Sequence, residues 1–331
     1  MNSREIIKRT LDFEYPDRTA HTFEPSDIVT AAPVIPNPGA AWKKINSKEW
    51  RRTDEWGNIW GRVDDSSKGE IIKGALENIN GADSIPIPDF SNPSYYKEAK
   101  AIFDANPGRW HNGLIRGATF SVARKIRKLE IYLVDLIESP GRLSILHDRI
   151  DEQIKYQIMR MAEISADSVF IEEDWGTQTQ TLISPQMWNK IFKPRFIEIC
   201  SYAHRVGMKF FMHSCGKMTE IIPGLIEAGV DLFQFDQPRI HGIDTLKKHQ
   251  EQNRITFWCS VDIQTTLQTK DEFLIRAEAR ELLDKLWQGR GGFIAGYYDD
   301  NTSIGLEPNW QEAANDEFLE KGKKEFYINN R

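Results

Sequence analysis

Short apolar runs alternate with longer amphipathic segments along most of the chain. Strand-like runs lie at residues 27–32, 85–87, 114–120, 168–171, 208–212, 231–235, 256–259 and 292–295. Helical periodicity is clearest at residues 185–206, 218–228 and 270–287. Strands that alternate with helices in this way predict right-handed βαβ units around a parallel sheet.

The number of strands favours one α/β architecture over another. About eight strands in 331 residues predict a closed (β/α)₈ TIM barrel with an N-terminal elaboration. The alternative is an open, doubly wound sheet, but no Gly-x-Gly-x-x-Gly turn or Gly-Lys-Ser/Thr loop follows any predicted strand. We therefore predict one barrel domain. Residues 1–80 form the elaboration and first strand, 81–320 the main barrel, and 321–331 a charged tail.

The N-terminal elaboration carries local signals of its own. Apolar side chains recur at helical spacing in the first fifteen residues, and Ser3 is expected to cap that helix. Residues 50–63 alternate bulky and polar side chains around a Gly-Asn pair, which predicts a β-hairpin. Its tryptophans fit either a core or a lid over a pocket, and core packing is the prediction because aromatic side chains are usually buried. They are Trp50, Trp56 and Trp60.

Charge and composition exclude several classes of function. Lys and Arg total 43 against 49 for Asp and Glu, which disfavours nucleic acid as a partner. No apolar stretch approaches the roughly 18 residues of a membrane span. The N-terminus has no signal-peptide core, so we expect a cytoplasmic protein. The three cysteines are too few and odd in number for a disulfide framework, which indicates reduced thiols available as metal ligands.

Titratable side chains follow the predicted strands, where the mouth of a barrel would lie. The densest run is Glu172-Glu173-Asp174, whose mutual repulsion would raise at least one pKa and supply an acid or base. The alternative is a helix cap with ion pairs before the predicted helix at Pro185. We predict catalytic roles for Glu173, Asp174 and Tyr297, and cofactor contacts for Gln178, Asp236 and Asp262.

The His213-x-Cys215 pair is the sharpest motif, and Cys259 ends a predicted strand nearby. In an extended segment residues i and i+2 point the same way, so the imidazole and the thiolate can face one ion. Zn²⁺ accepts both donors, and catalytic zinc keeps three protein ligands and one open position. The alternative is a hydrogen-bonded histidine beside an ordinary thiol. The predicted metal ligands are His213, Cys215 and Cys259.

Two segments resemble the uroporphyrinogen decarboxylase superfamily. Glu-Asp-Trp-Gly-Thr-Gln at 173–178, followed by Leu-Ile-Ser-Pro at 182–185, is similar to the family's Asp-Asp-x-Gly-x-Gln … Leu-Ile-Ser-Pro segment. His-Ser-Cys-Gly at 213–216, followed by Ile-Ile-Pro and Gly-Val-Asp, is similar to its His-x-Cys-Gly segment. Residues 4–20 look like the family's opening. The resemblance runs to about residue 320 and implies a (β/α)₈ barrel.

The superfamily contains two chemistries. True uroporphyrinogen decarboxylases work without metal and grip propionate groups with an arginine-bearing segment after the first strand. Residues 31–39 contain no arginine, so a polyanionic tetrapyrrole would lose its bidentate anchors. The sequence is more similar to the cobamide-dependent methyltransferases, whose zinc is held by a His-x-Cys pair and a distant cysteine.

This second branch implies a ligand set and a partner. His213 and Cys215 would bind Zn²⁺, with Cys259 in the place of the distant cysteine, because the last predicted strand has none. Asp236 or Glu173 would be an oxygen ligand that yields when substrate arrives. The resemblance also implies a corrinoid carried by a partner protein.

Three hypotheses remain open, and we favour the first. It is a zinc-dependent methyltransferase that moves a methyl group between a corrinoid protein and a small thiol, ether or amine. The second is a metal-free, decarboxylase-like lyase that uses Glu173, Asp174 and Tyr297 on a different small substrate. The third is a non-catalytic protein that binds a corrinoid or tetrapyrrole. A homodimer is compatible with each of them.

Overall fold

The computed structural model describes residues 1–65 and 67–328 and contains one parallel and one antiparallel sheet. The strands are β1 (Ala20–His21), β2 (Ile28–Ala31), β3 (Lys43–Asn46), β4 (Glu49–Thr53), β5 (Ile59–Arg62), β6 (Glu70–Lys73), β7 (Trp110–Ile115), β8 (Ser168–Glu172), β9 (Lys209–His213), β10 (Leu232–Phe235), β11 (Thr256–Cys259) and β12 (Phe293–Ala295). The helices are α1 (Ser3–Asp12), α2 (Lys97–Asp104), α3 (Thr119–Arg127), α4 (Leu129–Glu138), α5 (Pro140–Glu163), α6 (Pro185–Ile191), α7 (Lys193–Arg205), α8 (Ile222–Ala228), α9 (Ile243–Asn253), α10 (Glu272–Leu282), α11 (Asn309–Lys321) and α12 (Lys324–Ile328).

Eight parallel strands with surrounding helices form a nearly closed barrel, which confirms the predicted TIM-barrel fold. Their order is β1-β12-β11-β10-β9-β8-β7-β2, and each strand is hydrogen-bonded to the next. The carboxyl ends of parallel strands meet at one end of a barrel. The loops after β7, β8, β9, β10, β11 and β12 therefore share one mouth.

Most barrel strands are apolar on both faces, as buried parallel strands are. Every strand contributes at least one side chain to an inner cluster, in which Trp110 and the partly buried Trp258 are the largest. Alternate side chains, such as Phe210 and Phe257, belong to a second cluster that packs against the helices.

Helix α1 closes the N-terminal end of the barrel. Ile6 and Ile7 join the inner cluster. The Arg4 Nε donates to Asp167 Oδ1 at 3.1 Å, immediately before β8. The side chain of Asn2 caps the helix by accepting from the backbone N–H of Glu5, so the prediction that Ser3 is the cap was one residue late.

Three of the predicted elements differ from the structure. Residues 85–87 form no strand, because Pro86 and Pro88 remove the backbone donors that a ladder needs. The strand that completes the barrel is β1 instead. The run predicted at 114–120 begins earlier, as β7, and gives way to α3 at Thr119. The helix predicted at 185–206 divides into α6 and α7, where Pro194 lacks the N–H that a continuous helix would use.

The predicted hairpin at 50–63 is present as β4 and β5, and the structure extends it to four antiparallel strands in the order β3-β4-β5-β6. We call residues 43–73 the lid sheet. Of its predicted core tryptophans only Trp56 is buried, whereas Trp50 and Trp60 are half-buried. A single small sheet has one layer, so these two indoles pack against neighbouring cations rather than in a core.

The lid sheet is attached to the barrel on two sides. On one side it runs directly into Gly74, which lies against the carbonyl of Ile126 without room for a Cβ. The N–H of Leu76 then donates to that carbonyl at 3.0 Å. On the other side Lys68 pairs with Asp300, after β12, at 3.1 Å.

The predicted charged tail at 321–331 is partly helical. Helix α11 ends at Lys321 and α12 follows, while residues 329–331 lie outside the described residues. Among the helices described, none combines the length and the apolar character that a membrane crossing requires.

Asp27 closes the seam between β1 and β2, the two strands that the barrel order leaves without a shared ladder. Its N–H donates to the carbonyl of His21, and its carboxylate accepts from the His21 N–H, both at 2.9 Å. Both carboxylate oxygens accept from Arg18 at 2.7 Å. Burial alone would raise the pKa of Asp27, but the hydrogen bonds from Arg18 and its other donors hold that pKa below the ordinary value.

We expect Asp27→Asn to lower the free energy of unfolding by about 2–3 kcal/mol at neutral pH, because the substitution unpairs Arg18 and the seam. The folded pKa of Asp27 lies below its unfolded value. Its contribution is therefore present above about pH 4 and is lost as the pH falls through the folded pKa. Denaturant unfolding across this pH range measures the difference. Asp104→Asn, in an exposed pair with Lys100, is the control and should change little. A pH-independent difference would contradict the assignment.

Candidate metal centre

Three side chains with metal-binding atoms meet at the mouth of the barrel. Asp174 follows β8, His213 ends β9, and Cys215 lies two residues beyond it. Their ligand atoms all lie within 4.8 Å of one another. The His213 Nε2 is 3.2 Å from Cys215 Sγ and 3.7 Å from Asp174 Oδ1. The structure therefore brings together the predicted His-x-Cys pair and adds a carboxylate.

The donor set and its spacing fit a zinc ion. Imidazole nitrogen, thiolate sulfur and carboxylate oxygen are its usual ligands, and tetrahedral bonds of about 2.0–2.3 Å place donors about 3.3–3.8 Å apart. The two distances from His213 Nε2 lie close to that range. Three protein donors leave a fourth position open, which is the arrangement of a catalytic rather than a structural zinc.

Two glycines let the loops that carry Asp174 and Cys215 cross in contact. A Cβ on Gly176 would collide with the backbone of Lys217, and one on Gly216 would collide with the carbonyl of Gly176. Gly216 also has a φ of +75°, in the left-handed region. At the crossing the N–H of Cys215 donates to Asp174 Oδ1 at 2.9 Å. The backbone thus places the carboxylate beside the thiol.

A glutamine on the neighbouring strand orients the histidine. The Gln234 Oε1 accepts a hydrogen bond from His213 Nδ1, and the Gln234 Nε2 donates to Asp236 Oδ1 at 2.7 Å. The second bond fixes which end of the amide faces the ring. A proton on Nδ1 leaves the lone pair of Nε2 directed at Cys215 and Asp174, as in metal-binding histidines.

The field at His213 is strongly negative. Burial by itself would lower the pKa of His213, but the hydrogen bond to Cys215 and nearby negative charges raise it to about 10. The charges belong to Asp236, Cys215 and Asp174. The other carboxylate oxygen of Asp174, Oδ2, is 3.6 Å from the guanidinium of Arg124. This ion pair holds the carboxylate in place. A site with this field attracts a cation.

Cys259 is not part of this group, which corrects the expected third ligand. It lies at the end of β11 in the outer cluster, on the same strand face as Phe257, whereas Trp258 points into the barrel. Side chains alternate along a strand, so Cys259 faces the helices. Burial raises the pKa of its thiol well above the ordinary value, as expected for an inert core cysteine.

Glu173 is fully buried and holds the start of α3. Its carboxylate accepts hydrogen bonds from the backbone N–H groups of Ala118, Phe120 and Ser121. Burial raises the pKa of Glu173 to about 7, although these amides pull it down. Glu173 thus acts as a cap, as in the alternative to a catalytic acid, but for α3 rather than for the helix at Pro185, which Ser184 caps.

The remaining predicted residues spread around the mouth. Tyr297 accepts a hydrogen bond from Asn301 at 3.2 Å, and Gln178 is exposed and donates to Gln237 at 3.3 Å. Asp262 is buried, and its Oδ1 accepts from two N–H groups of the turn after β11. Of the three residues expected to contact a cofactor, Asp236 is linked to the metal centre, because it accepts a hydrogen bond from Gln234.

Two groups of residues were not predicted from the sequence. Gln234 is one, and its signal is a polar residue inside the apolar strand Leu-Phe-Gln-Phe. The second group lines a cavity of about 720 Å³ beside Asp174 and His213. The lid sheet contributes Arg52, Trp56 and Trp60 to its wall, and Trp42 lies just before the sheet. A lid over a pocket was the alternative for Trp56 and Trp60, but Trp42 and Arg52 were not predicted. The sequence feature that could have indicated this wall is the alternation of tryptophan and cationic residues in 42–62.

Comparisons with known proteins agree with this architecture. The sequence model of a family described as uroporphyrinogen decarboxylase (URO-D) matches residues 71–318, about three quarters of the chain. Among solved structures, a methyltransferase from Methanosarcina mazei has a TM-score of 0.62 at 18% identity, covering 80% of this chain and 76% of that one. A 3-keto-D-glucoside 4-epimerase from E. coli has a TM-score of 0.44 at 11% identity, covering 69% and 85%. No curated protein sequence matches this chain significantly.

We expect Gln234→Leu to weaken Zn²⁺ binding about 10- to 100-fold, because His213 Nδ1 loses the acceptor that orients the ring. Competition with a chromophoric chelator measures the affinity. Gln237→Leu is the control, since Gln237 contacts Gln178 rather than the histidine. Equal zinc affinities for wild type and Gln234→Leu would refute the orienting role.

Proposed function

The chain belongs to the uroporphyrinogen decarboxylase family, and from this membership we propose that it is a zinc-dependent methyltransferase. The observation that carries the proposal is the three-donor group of Asp174, His213 and Cys215. A metal-free decarboxylase would have no use for a thiol and an imidazole converging on one point. The similar fold of the Methanosarcina mazei methyltransferase supports the same branch of the family.

The proposed ligands keep the charge that this chemistry needs. One carboxylate and one thiolate balance a divalent cation, so Asp174 replaces the second thiolate without changing the formal charge. When bound, zinc would supply Lewis acidity that lowers the pKa of a substrate thiol or polarises the heteroatom of a methyl ether or amine. The position left open by the three protein donors is where that heteroatom would lie.

The surrounding residues position the donors and line the cavity beside them. Gln234 keeps a proton on His213 Nδ1, so that the lone pair of Nε2 remains available to a metal ion. Arg124 and the N–H of Cys215 each hold one oxygen of Asp174. The indoles of Trp42, Trp56 and Trp60 line the cavity, and such apolar walls strengthen electrostatic interactions beside them.

The methyl group would be exchanged with a corrinoid on a partner protein that docks over the mouth. The support for this partner is the family resemblance and the fact that the proposed metal ligands all follow strands that end there. A methyl group that moves as a cation leaves its bonding electron pair behind. In transfer from a corrinoid to a thiol, the thiol would lose its proton to solvent and gain the methyl group, while the corrinoid would keep the electron pair of the broken bond. Demethylation of an ether would reverse this balance.

We expect protein purified under reducing conditions without chelator to contain about one zinc per chain. Cys215→Ser and Asp174→Ala should lose the metal because each removes a donor. Cys259→Ala is the matched control and should keep it, since Cys259 faces the helices. Elemental analysis measures zinc, and circular dichroism checks folding. Wild type without metal, or equal losses in the Cys215 and Cys259 variants, would refute the assigned ligands.

We expect the zinc-loaded protein to exchange methyl groups with free cobalamin, which stands in for the partner's corrinoid. Visible absorbance follows methylcobalamin with a thiol in one direction and cobalt(I) cobalamin with a methyl ether in the other. Cys215→Ser should slow the exchange at least about tenfold, because it removes a metal ligand. Cys259→Ala should not. Release of CO₂ from a carboxylic acid at the same rate in both variants would instead support a metal-free lyase.

A further inference from the structure

The lid sheet presents an alternating series of tryptophans and cations on one face. The direct cross-strand pairs are Lys44 with Trp50, Trp50 with Arg62, and Arg52 with Trp60. Side chains of directly opposed residues share a face of the sheet, where they interact most strongly. Nearly the whole lid sheet precedes residue 71, where the family match begins.

Arg52 lies between two indole rings. Its guanidinium carbon is 5.2 Å from the centroid of Trp42 and 4.7 Å from that of Trp60. On the other side of Trp60 the ammonium of Lys125, from α3, is 5.8 Å from the ring. These are cation–π distances, and a guanidinium stacked on rings keeps its N–H edge free for other partners.

No carboxylate neutralises Arg52 in the described part of the chain. The nearby Asp54 is buried, and its oxygens accept from the N–H groups of Trp56 and Asn58, the Asn58 amide and the Trp60 indole. The Nε of Arg52 is buried without a hydrogen-bond partner. Lys125 likewise has no ion pair among the described residues. Two cations thus line the cavity without an ion pair among the described residues.

The other charged residues of the cavity wall are mostly engaged. Arg116 is 3.9 Å from Glu172, Arg124 is paired with Asp174, and Lys68 with Asp300. Glu55 is the exception, and it also lines a smaller cavity of mixed character, whose apolar side chains include Ile35, Phe90 and Leu114. The wall therefore offers a positive end at Arg52 and apolar side chains beyond Trp56.

We propose that Arg52, with Lys125, binds the carboxylate of an organic acid with an apolar body of about aryl size. The acid would lie in the cavity that Asp174 and His213 also line. A cavity of about 720 Å³ is within the roughly 300–1,000 Å³ of ligand pockets, and a small thiol would leave most of it empty. The planar fork of an arginine matches a carboxylate in bidentate fashion. This inference rests on the proposed function and selects acidic methyl ethers over amines, which Arg52 and Lys125 would repel.

The test compares 4-methoxybenzoate with its neutral analogue 4-methoxybenzamide in titrations of the full chain. Isothermal calorimetry measures binding, and tryptophan fluorescence reports on Trp42 and Trp60. We expect the wild type to bind the acid at least about tenfold more tightly than the amide, as a charge-assisted hydrogen bond gives. Arg52→Gln should abolish this preference. Arg52→Lys should keep part of it, because a point charge replaces the fork.

Arg62→Gln is the matched control. Arg62 stacks on Trp42 at 4.5 Å and on Trp50 at 5.1 Å, in the same series, but it does not line the cavity. If the series only stabilised the lid sheet, both glutamine variants would change binding alike. The proposal requires that Arg62→Gln keep the acid preference. Equal binding of acid and amide by wild type, no binding of the acid, or equal losses in both variants would overturn it.

A metal-free variant separates this site from the metal centre. Cys215→Ser should retain the acid preference, whereas a carboxylate bound by zinc alone would lose it. These titrations contain no corrinoid, so they measure binding alone. An Arg52-dependent preference for the acid, combined with no methyl exchange in the cobalamin assay, refutes the proposed function only. Methyl transfer without that preference refutes the present inference only.

Discussion

The contact between two loops at Gly176 and Gly216 is the constraint on which the candidate metal centre depends. Asp174 and Cys215 are 41 positions apart in the chain, on different strand ends. They become neighbours because both loops lack a side chain where they cross, so that one backbone lies against the other. The N–H of Cys215 then bonds the carboxylate of Asp174. Without this contact Asp174 would be separate from the pair of His213 and Cys215.

The barrel could be predicted from the sequence because buried strands and amphipathic helices differ in period. Six of the eight predicted strands coincide with observed ones, and the error at 85–87 comes from weighting isoleucine above proline. β1 has two residues, too few to produce a pattern, and it is defined by its pairing with β12. The lid sheet was predicted only as its central hairpin, because β3 and β6 are exposed and polar and have no apolar run.

The site could be predicted as far as local spacing allows. His213 and Cys215 are two residues apart, so their convergence follows from strand geometry. Cys259 could not be placed in the same way, because both faces of a barrel strand are apolar and the sequence Thr-Phe-Trp-Cys does not say which face is inside. The sequence also does not say which way the side chains of Asp174 and Glu173 point. Adjacent in sequence, they point in different directions, one to the mouth and one to the start of α3.

Helix α1 closes the N-terminal end of the barrel. This closure affects the order in which two reactants can bind at the mouth, at the opposite end. In the described structure, reactants would therefore enter at the mouth of the barrel. The lid sheet is attached beside this mouth through Lys68 at one edge and Leu76 at the other. A small molecule fits in the cavity beside the lid sheet, whereas the proposed corrinoid protein would be too large to enter it and would bind outside. With such a partner the architecture favours ordered binding, in which the small reactant binds before the larger one docks.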